Sequence, residues 1–359
     1  MLSEIIAEEE REYGKMINLH DVLYEILTQV VNKGNIYWIR KILNADYKKI
    51  HVAIMVEPYL SYILDGKKTI ESRFSKKKVS PFERVERKDI IILKKSGGGI
   101  EGVFEAGEVC FFEQLDSQGV LELKKSYNSK ICGDEEFWQK KLVSKYATLI
   151  EVKSLFLCEQ IKVTGKNRQS WLSLDNILTR NKQVIILSGK VESGKTYLSK
   201  KIAQYLSCER YSISDYLKDA ANKGGYKYIS RQILQEIEKE QIELGWELFV
   251  KKFMEFVKWN NHENIVVDGV RHVEFFNMLV NQVKSCKVLL VWIEIDSNTM
   301  DIRMEKRNES GISLNHVAEE NLAQLKERAD IVIDNSKMQE DTSEKRLLCE
   351  LYRCIYAQV

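Results

Sequence analysis

The sequence predicts a multi-domain chain with a helical N-terminal segment (1–48), an α+β domain built on a barrel-like sheet (49–165), a linker (166–183) and an α/β domain with a parallel sheet (184–359). Three observations carry this. The chain has 359 residues, more than one hydrophobic core usually serves. Near residue 49 the apolar pattern changes from a helical stripe to short β-rich runs. From Val184 onward, continuous apolar runs alternate with helical segments, which argues for a parallel sheet covered on both faces.

In the first segment Leu19, Val22, Leu23, Ile26, Leu27 and Val30 fall on one helical stripe, and "NKGN" at 32–35 breaks the run. "HVAIMVE" (51–57) reads as a strand, "PYLSYILDGKK" as a helix opened by proline, and "TIESRF" as a second strand. "DIIILKK", the "SGGG" turn and "IEGVFEAGEVCFF" form a hairpin, and "YATLIEVKSLFL" (146–157) closes the sheet. "GKNRQSWLSLDNILTRNKQ" is the candidate linker. Then follow "VIILSG", "KTYLSKKIAQYL", "CERYSI", several helices, "NIVVDGV", "KVLLVWIEID" and "ADIVIDN". Because the sheet beginning at Val184 contains its own core, a fragment lacking residues 1–175 is expected to fold.

Composition narrows the function classes. With 44% hydrophobic and 30% charged residues and two prolines, the chain is an ordered mixed α/β protein. A net charge of +2 gives no global attraction to nucleic acid or membrane, although Lys67–Lys95 is locally rich in Lys and Arg. Nothing in it signals DNA in particular. The seven cysteines include no C-x-x-C pair. An acidic start and the lack of a long apolar run imply a cytoplasmic protein without a membrane span. Oligomeric state is not written in the sequence.

"GKVESGKT" fits G-x-x-x-x-G-K-[ST] from Gly189 to Thr196. The pattern arises by chance in roughly one chain in a hundred of this length, and its place between an apolar strand and a helix makes chance rarer still. Gly189 and Gly194 clear side chains from the backbone, so that the N–H groups of Lys190, Val191, Glu192, Ser193 and Tyr197 and the positive end of the helix can wrap phosphates. Lys195 supplies charge for the β- and γ-phosphates of ATP, and Thr196 a hydroxyl for Mg²⁺. Arg303 and Arg307 stand one helical turn apart and share a face, as a cationic lid requires. Asp268 ends an apolar strand at the edge where α/β ligands collect, with Arg271 three residues on. A carboxylate there can hold a magnesium-bound water or meet the acceptor, and Arg271 can meet phosphate.

On "GKVESGKT", "SISDYL", "SRQILQEI", "VVDGVR", "DIRMEKR" and "ADIVIDN", residues 184–336 resemble the nucleoside-monophosphate kinase branch of P-loop proteins, above all the dephospho-coenzyme A and deoxynucleoside-monophosphate kinases. The resemblance implies Asp215 near the acceptor hydroxyl, Arg231 on the acceptor's phosphate, and Arg303 and Arg307 as lid arginines. In the first half, "VEPYLSYILDGKKTIESRF" and the strands after it resemble the ASCH domain, a relative of PUA-like RNA-binding barrels, over roughly 50–165. That implies a cleft lined by Lys68, Thr69, Glu71 and Arg73 for a base or nucleotide. Some ASCH proteins are amidohydrolases of acetylated cytidine that use a lysine matching Lys68, but Glu71 replaces their threonine. The same lysine-rich stretch also reads as a solvated sheet edge. Together these features imply an ATP- and Mg²⁺-dependent phosphotransferase for a nucleotide-like or RNA acceptor. The alternatives are an ATP-gated RNA-binding protein and, third, the amidohydrolase.

Overall fold

The computed structural model describes residues 19–163, 169–175, 182–261, 264–284, 286–306, 316–336 and 340–356. The chain divides into two compact units, residues 1–34 with 45–179 and residues 35–44 with 180–359.

The first unit is built on a six-stranded sheet in the order β2-β5-β4-β3-β1-β6. Its strands are β1 (Lys49–Met55), β2 (Ile70–Ser75), β3 (Ile90–Lys95), β4 (Ile100–Phe112), β5 (Tyr146–Ile161) and β6 (Trp171–Asp175). β1 and β3 run parallel, and the other pairs are antiparallel. Register shifts along the long β4–β5 pair bend both strands and curl the sheet. One face buries Leu60, Ile91, Phe104 and Ile150, and a second cluster gathers Ile70, Val120, Ile131 and Trp138. The helix Leu19–Asn32 packs on β5, where the Gln29 amide donates to the Glu159 carbonyl (3.0 Å) and accepts from its N–H (2.7 Å).

β6 lies within the stretch expected to be a linker, and this corrects that expectation. Trp171 and Leu172 are buried, and β6 pairs with β1 from Lys49 to Ala53. A buried side-chain chain fixes it there. Trp171 Nε1 donates to His51 Nδ1 (3.2 Å), Ser173 Oγ lies 3.0 Å from the same nitrogen, and His51 Nε2 meets Asp89 Oδ2 at 3.1 Å. Loop-forming polar residues flank these five positions, which hides the strand.

The second unit holds a fully parallel sheet in the order β11-β10-β7-β9-β8. The strands are β7 (Gln183–Gly189), β8 (Glu209–Ser212), β9 (Asn264–Asp268), β10 (Lys287–Glu294) and β11 (Ile331–Asp334). β7 is central and buried along its whole length, as its apolar run requires. Helices cover the sheet, with Phe249, Phe253, Phe275 and Leu279 among the side chains packed in its main core.

The N-terminal helical segment does not act as one module. Helix Ile36–Leu43 belongs to the second unit and packs on helix Lys195–Tyr205, burying Trp38, Ile39, Ile42 and Leu43. Asn35 caps its start by accepting from the Trp38 N–H. At its end Asn44 Nδ2 donates to the Tyr205 carbonyl (2.8 Å), and the Tyr356 hydroxyl donates to the Leu43 carbonyl (2.7 Å). The "NKGN" break therefore separates two helices with different destinations.

Candidate functional site

The glycine-bracketed loop follows β7, and both glycines are sterically required. Gly189 has φ +144°, and a Cβ on it would lie 2.4 Å from the Ile293 carbonyl oxygen. Gly194 has φ +88°, and its Cβ would lie 2.4 Å from Asn335 Nδ2. Between them Glu192 takes the left-handed region at φ +59°. Helix Lys195–Tyr205 starts with no side-chain cap, so its first N–H groups are left for another acceptor.

Two residues hold the loop from outside and are bonded to each other. Asn335 Nδ2 donates to the Ser193 carbonyl (2.8 Å), Arg303 Nη1 to the Glu192 carbonyl (2.9 Å), and Arg303 Nη2 to the Asn335 carbonyl (3.0 Å). Arg303, expected as a lid residue, is thus a brace of the loop itself. Arg307 lies outside the described residues.

Lys195 is buried and donates to the Gly189 carbonyl (2.9 Å), the Lys190 carbonyl and Ser193 Oγ (3.2 Å). Burial pushes its ammonium down to about 8; Arg271 adds to the shift, and Asp268 and Glu192 oppose it. Lys190 and Thr196 are exposed, and Val191 is half-buried. The Tyr197 hydroxyl donates to Glu344 Oε2 (2.9 Å), and Tyr205 to the other oxygen (2.9 Å).

Asp268 ends β9 and is 2% exposed. Its Oδ2 accepts from Arg210 Nη2 (2.7 Å) and lies 3.2 Å from Ser199 Oγ, while its buried Oδ1 has no partner among the described residues. Arg210 also reaches Asp215 Oδ2 through Nη1 (3.4 Å), so one guanidinium joins the two carboxylates expected in the site. Asp215 sits in the first turn of helix Ile213–Lys223, which Ser212 caps. Partial burial raises its carboxyl, but Ser212, Lys218 and Arg210 together hold it below the usual range. Arg271 is exposed and makes no hydrogen bond or ion pair with a described residue.

Arg231 does not join this group. It opens helix Arg231–Glu243, which packs on helix Ile213–Lys223. The Tyr216 hydroxyl donates to Gln241 Oε1 (3.2 Å), so the end of one helix lies beside the start of the other and the two run antiparallel. Lys223, eight residues past Asp215, stands about 12 Å along the axis. Arg231 follows the turn at that far end.

In the first unit Lys68, Glu71 and Arg73 do come together. Lys68 is 2% exposed, 3.5 Å from Glu71 Oε2, and donates to the Ile131 carbonyl (3.2 Å). Arg73 Nε meets Glu71 Oε1 at 2.7 Å, its Nη atoms donate to the carbonyls of Ser170 (3.0 Å) and Ile54 (3.3 Å), and its guanidinium lies 5.0 Å from the Trp171 ring centroid. Burial pushes the Lys68 ammonium below the usual lysine range, with Glu71 opposing. Neither the solvated edge nor the full cleft describes this: Lys68 is core, and Thr69 is exposed and tied in through its backbone. Thr69 precedes β2, where alternation does not apply.

Sequence reasoning passed over Arg210, Ser199 and Asn335. Arg210, inside a short strand of a parallel sheet, is a polar intrusion that could have marked it.

A parallel sheet with the glycine loop on its central strand and a carboxylate ending the neighbouring strand defines a P-loop α/β domain. Residues 185–335 match the AAA domain family and residues 54–162 match the ASCH domain family, so the chain joins an ASCH domain to an AAA domain that carries the glycine loop. Similar solved structures include the ASCH protein from Zymomonas mobilis (15% identity, TM-score 0.27, 32% of this chain and 73% of that one). Shikimate kinase from Bacteroides thetaiotaomicron (17%, 0.32, 46% and 95%) and a gluconokinase from Sinorhizobium meliloti (12%, 0.30, 49% and 93%) are also similar. Comparison with curated proteins gave no match. No described helix is long and apolar enough to cross a membrane.

Proposed function

We propose that this chain is an ATP- and Mg²⁺-dependent phosphotransferase acting on a nucleotide-like acceptor, with its ASCH domain recognising RNA or a nucleotide. The observation that carries the reading is the carboxylate pair Asp268 and Asp215 joined by Arg210, with Asp268 Oδ1 buried and without a partner among the described residues. A buried carboxylate oxygen without a donor is costly, and such atoms are kept where a ligand completes them.

The residues fit both ATP and the metal. The glycine cradle admits no side chain, the helix N-terminus offers free N–H groups, and Asp268 with Thr196 would hold Mg²⁺, directly or through water. When bound, Mg²⁺ neutralises phosphate charge that grows during transfer. Lys195 gives up its carbonyl contacts for phosphate oxygens, whose negative charge holds its proton more firmly. Arg271 adds a second cation. An acceptor hydroxyl at Asp215 attacks the γ-phosphorus: the new P–O bond forms, the bond to the β,γ-bridging oxygen breaks, and the proton passes to Asp215. Ser212, Lys218 and Arg210 together keep Asp215 ionised, and Arg210 orients it for that step.

The test is transfer of labelled γ-phosphate from ATP to pooled nucleotides, nucleosides and total RNA. A labelled acceptor product that disappears in Lys195→Ala is expected. No labelled product from any acceptor would reject the reading.

A further inference from the structure

The turn between helices Ile213–Lys223 and Arg231–Glu243 carries chemistry that the transfer site leaves unused. From Ala220 to Gln235 every charged residue is a cation, namely Lys223, Lys227 and Arg231, with Tyr226 and Tyr228 set among them. Tyr228 is 86% exposed, the most of any large hydrophobic side chain among the described residues, and Tyr226 is 41% exposed. Lys223 pairs with Asp219 at 2.6 Å, while Lys227 makes no ion pair with a described residue. A phenol ring held in water contributes nothing to folding. Here the exposed ring of Tyr228 and the part-exposed ring of Tyr226 flank Lys227, which has no ion pair among the described residues, at the tip of a helical hairpin turned by Gly224 and Gly225.

Exposed aromatic faces beside cations suit a nucleic acid strand, because bases stack on the rings and phosphates meet the charges, whatever the sequence. The hairpin sets the length of that strand. Its base holds Asp215 and its tip lies about 12 Å further along, so one ligand touching both ends has to be longer than a mononucleotide.

We propose that this tip is a stacking platform that selects a single-stranded oligonucleotide as the phosphoryl acceptor. The strand's terminal hydroxyl lies at Asp215, a base further along stacks on Tyr228, and an intervening phosphate faces Lys227. This rests on the phosphotransferase reading above and adds the acceptor's class to it.

The test uses the full chain, with hexaadenylate RNA and AMP as probes, and measures binding by titration and transfer from labelled ATP. Tyr228→Ala should weaken hexaadenylate binding about tenfold, as loss of one stacking aromatic does, while AMP binding and the melting temperature stay unchanged. Lys227→Ala should lower the slope of log affinity against log salt by about one. Hexaadenylate affinity that ignores Tyr228, or AMP affinity that falls with it, would overturn the platform. Binding that depends on Tyr228 without transfer to any acceptor would instead overturn the phosphotransferase reading, and the acceptor role with it.

Discussion

The chain contains two clusters of lysine, arginine and carboxylate, one in each unit, and they are left in opposite states. In the first unit Glu71 sits between Lys68 and Arg73, and both cations spend their remaining donors on backbone carbonyls. In the second, among the described residues, Asp268 has one oxygen engaged and the other buried without a hydrogen-bond partner, and Arg271 makes no hydrogen bond or ion pair. Folding tolerates an unmatched buried group poorly. The second cluster is left open, as the proposed ligand site requires, whereas the first is closed by bonds that the fold itself makes. Residue type alone does not separate the two cases; what the neighbours leave unsatisfied does.

The comparison breaks most visibly at the boundary of the units. A fragment lacking residues 1–175 loses helix Ile36–Leu43, and with it four buried apolar side chains of the second unit. At about 1.5–3 kcal/mol each, their loss approaches the whole stability of an ordinary domain. The fragment is expected to be unfolded or insoluble, against the sequence expectation. A fragment that melts cooperatively at the full chain's temperature would refute this.

If the first cluster is closed by its own ion pairs, removing the central carboxylate leaves the buried Lys68 and the part-buried Arg73 without their shared partner. Glu71→Ala should destabilise the first unit by about 3–5 kcal/mol, read by urea denaturation. A loss below about 1 kcal/mol, the range of an exposed pair, would return Lys68 and Glu71 to the surface. The open cluster behaves in the other way. Lys195→Ala should lower phosphoryl transfer by roughly 10²–10³-fold, the usual effect of removing one preorganised electrostatic contact, and leave the melting temperature nearly unchanged.

Patterns that repeat along the chain were legible in the sequence, and so was the glycine loop. The apolar runs from Val184 gave the parallel sheet, and Gly189 and Gly194 gave the loop because backbone geometry admits nothing else there. What was not legible depends on long-range partners. β6 is five residues long and takes its stability from Trp171, His51 and Asp89, which lie far apart in sequence. Arg303 fits a lid by its helical spacing, yet its position was settled by the carbonyls of Glu192 and Asn335. Arg231 sits close to Asp215 in sequence, and an antiparallel hairpin carries it away.

The smallest expected effect is also the one whose sign is most specific to the open cluster. Lys195 has its ammonium lowered from the ordinary 10.5 to about 8, first by burial and then by Arg271. Phosphate needs the charged form, so ATP affinity should be level up to pH 7.5 and fall roughly tenfold by pH 9, as the free protein loses that proton. Stability should move in the opposite direction. Between about 8 and 10.5 the unfolded chain binds the proton more tightly than the folded one, so stability without ATP should rise with pH through this window. Lys195→Met should abolish both slopes together. Titration of ATP and urea denaturation across pH 7–10, on the full chain and the variant, would show it. Affinity that stays flat to pH 10 would mean that Lys195 keeps its proton, and that its carbonyl partners offset the burial.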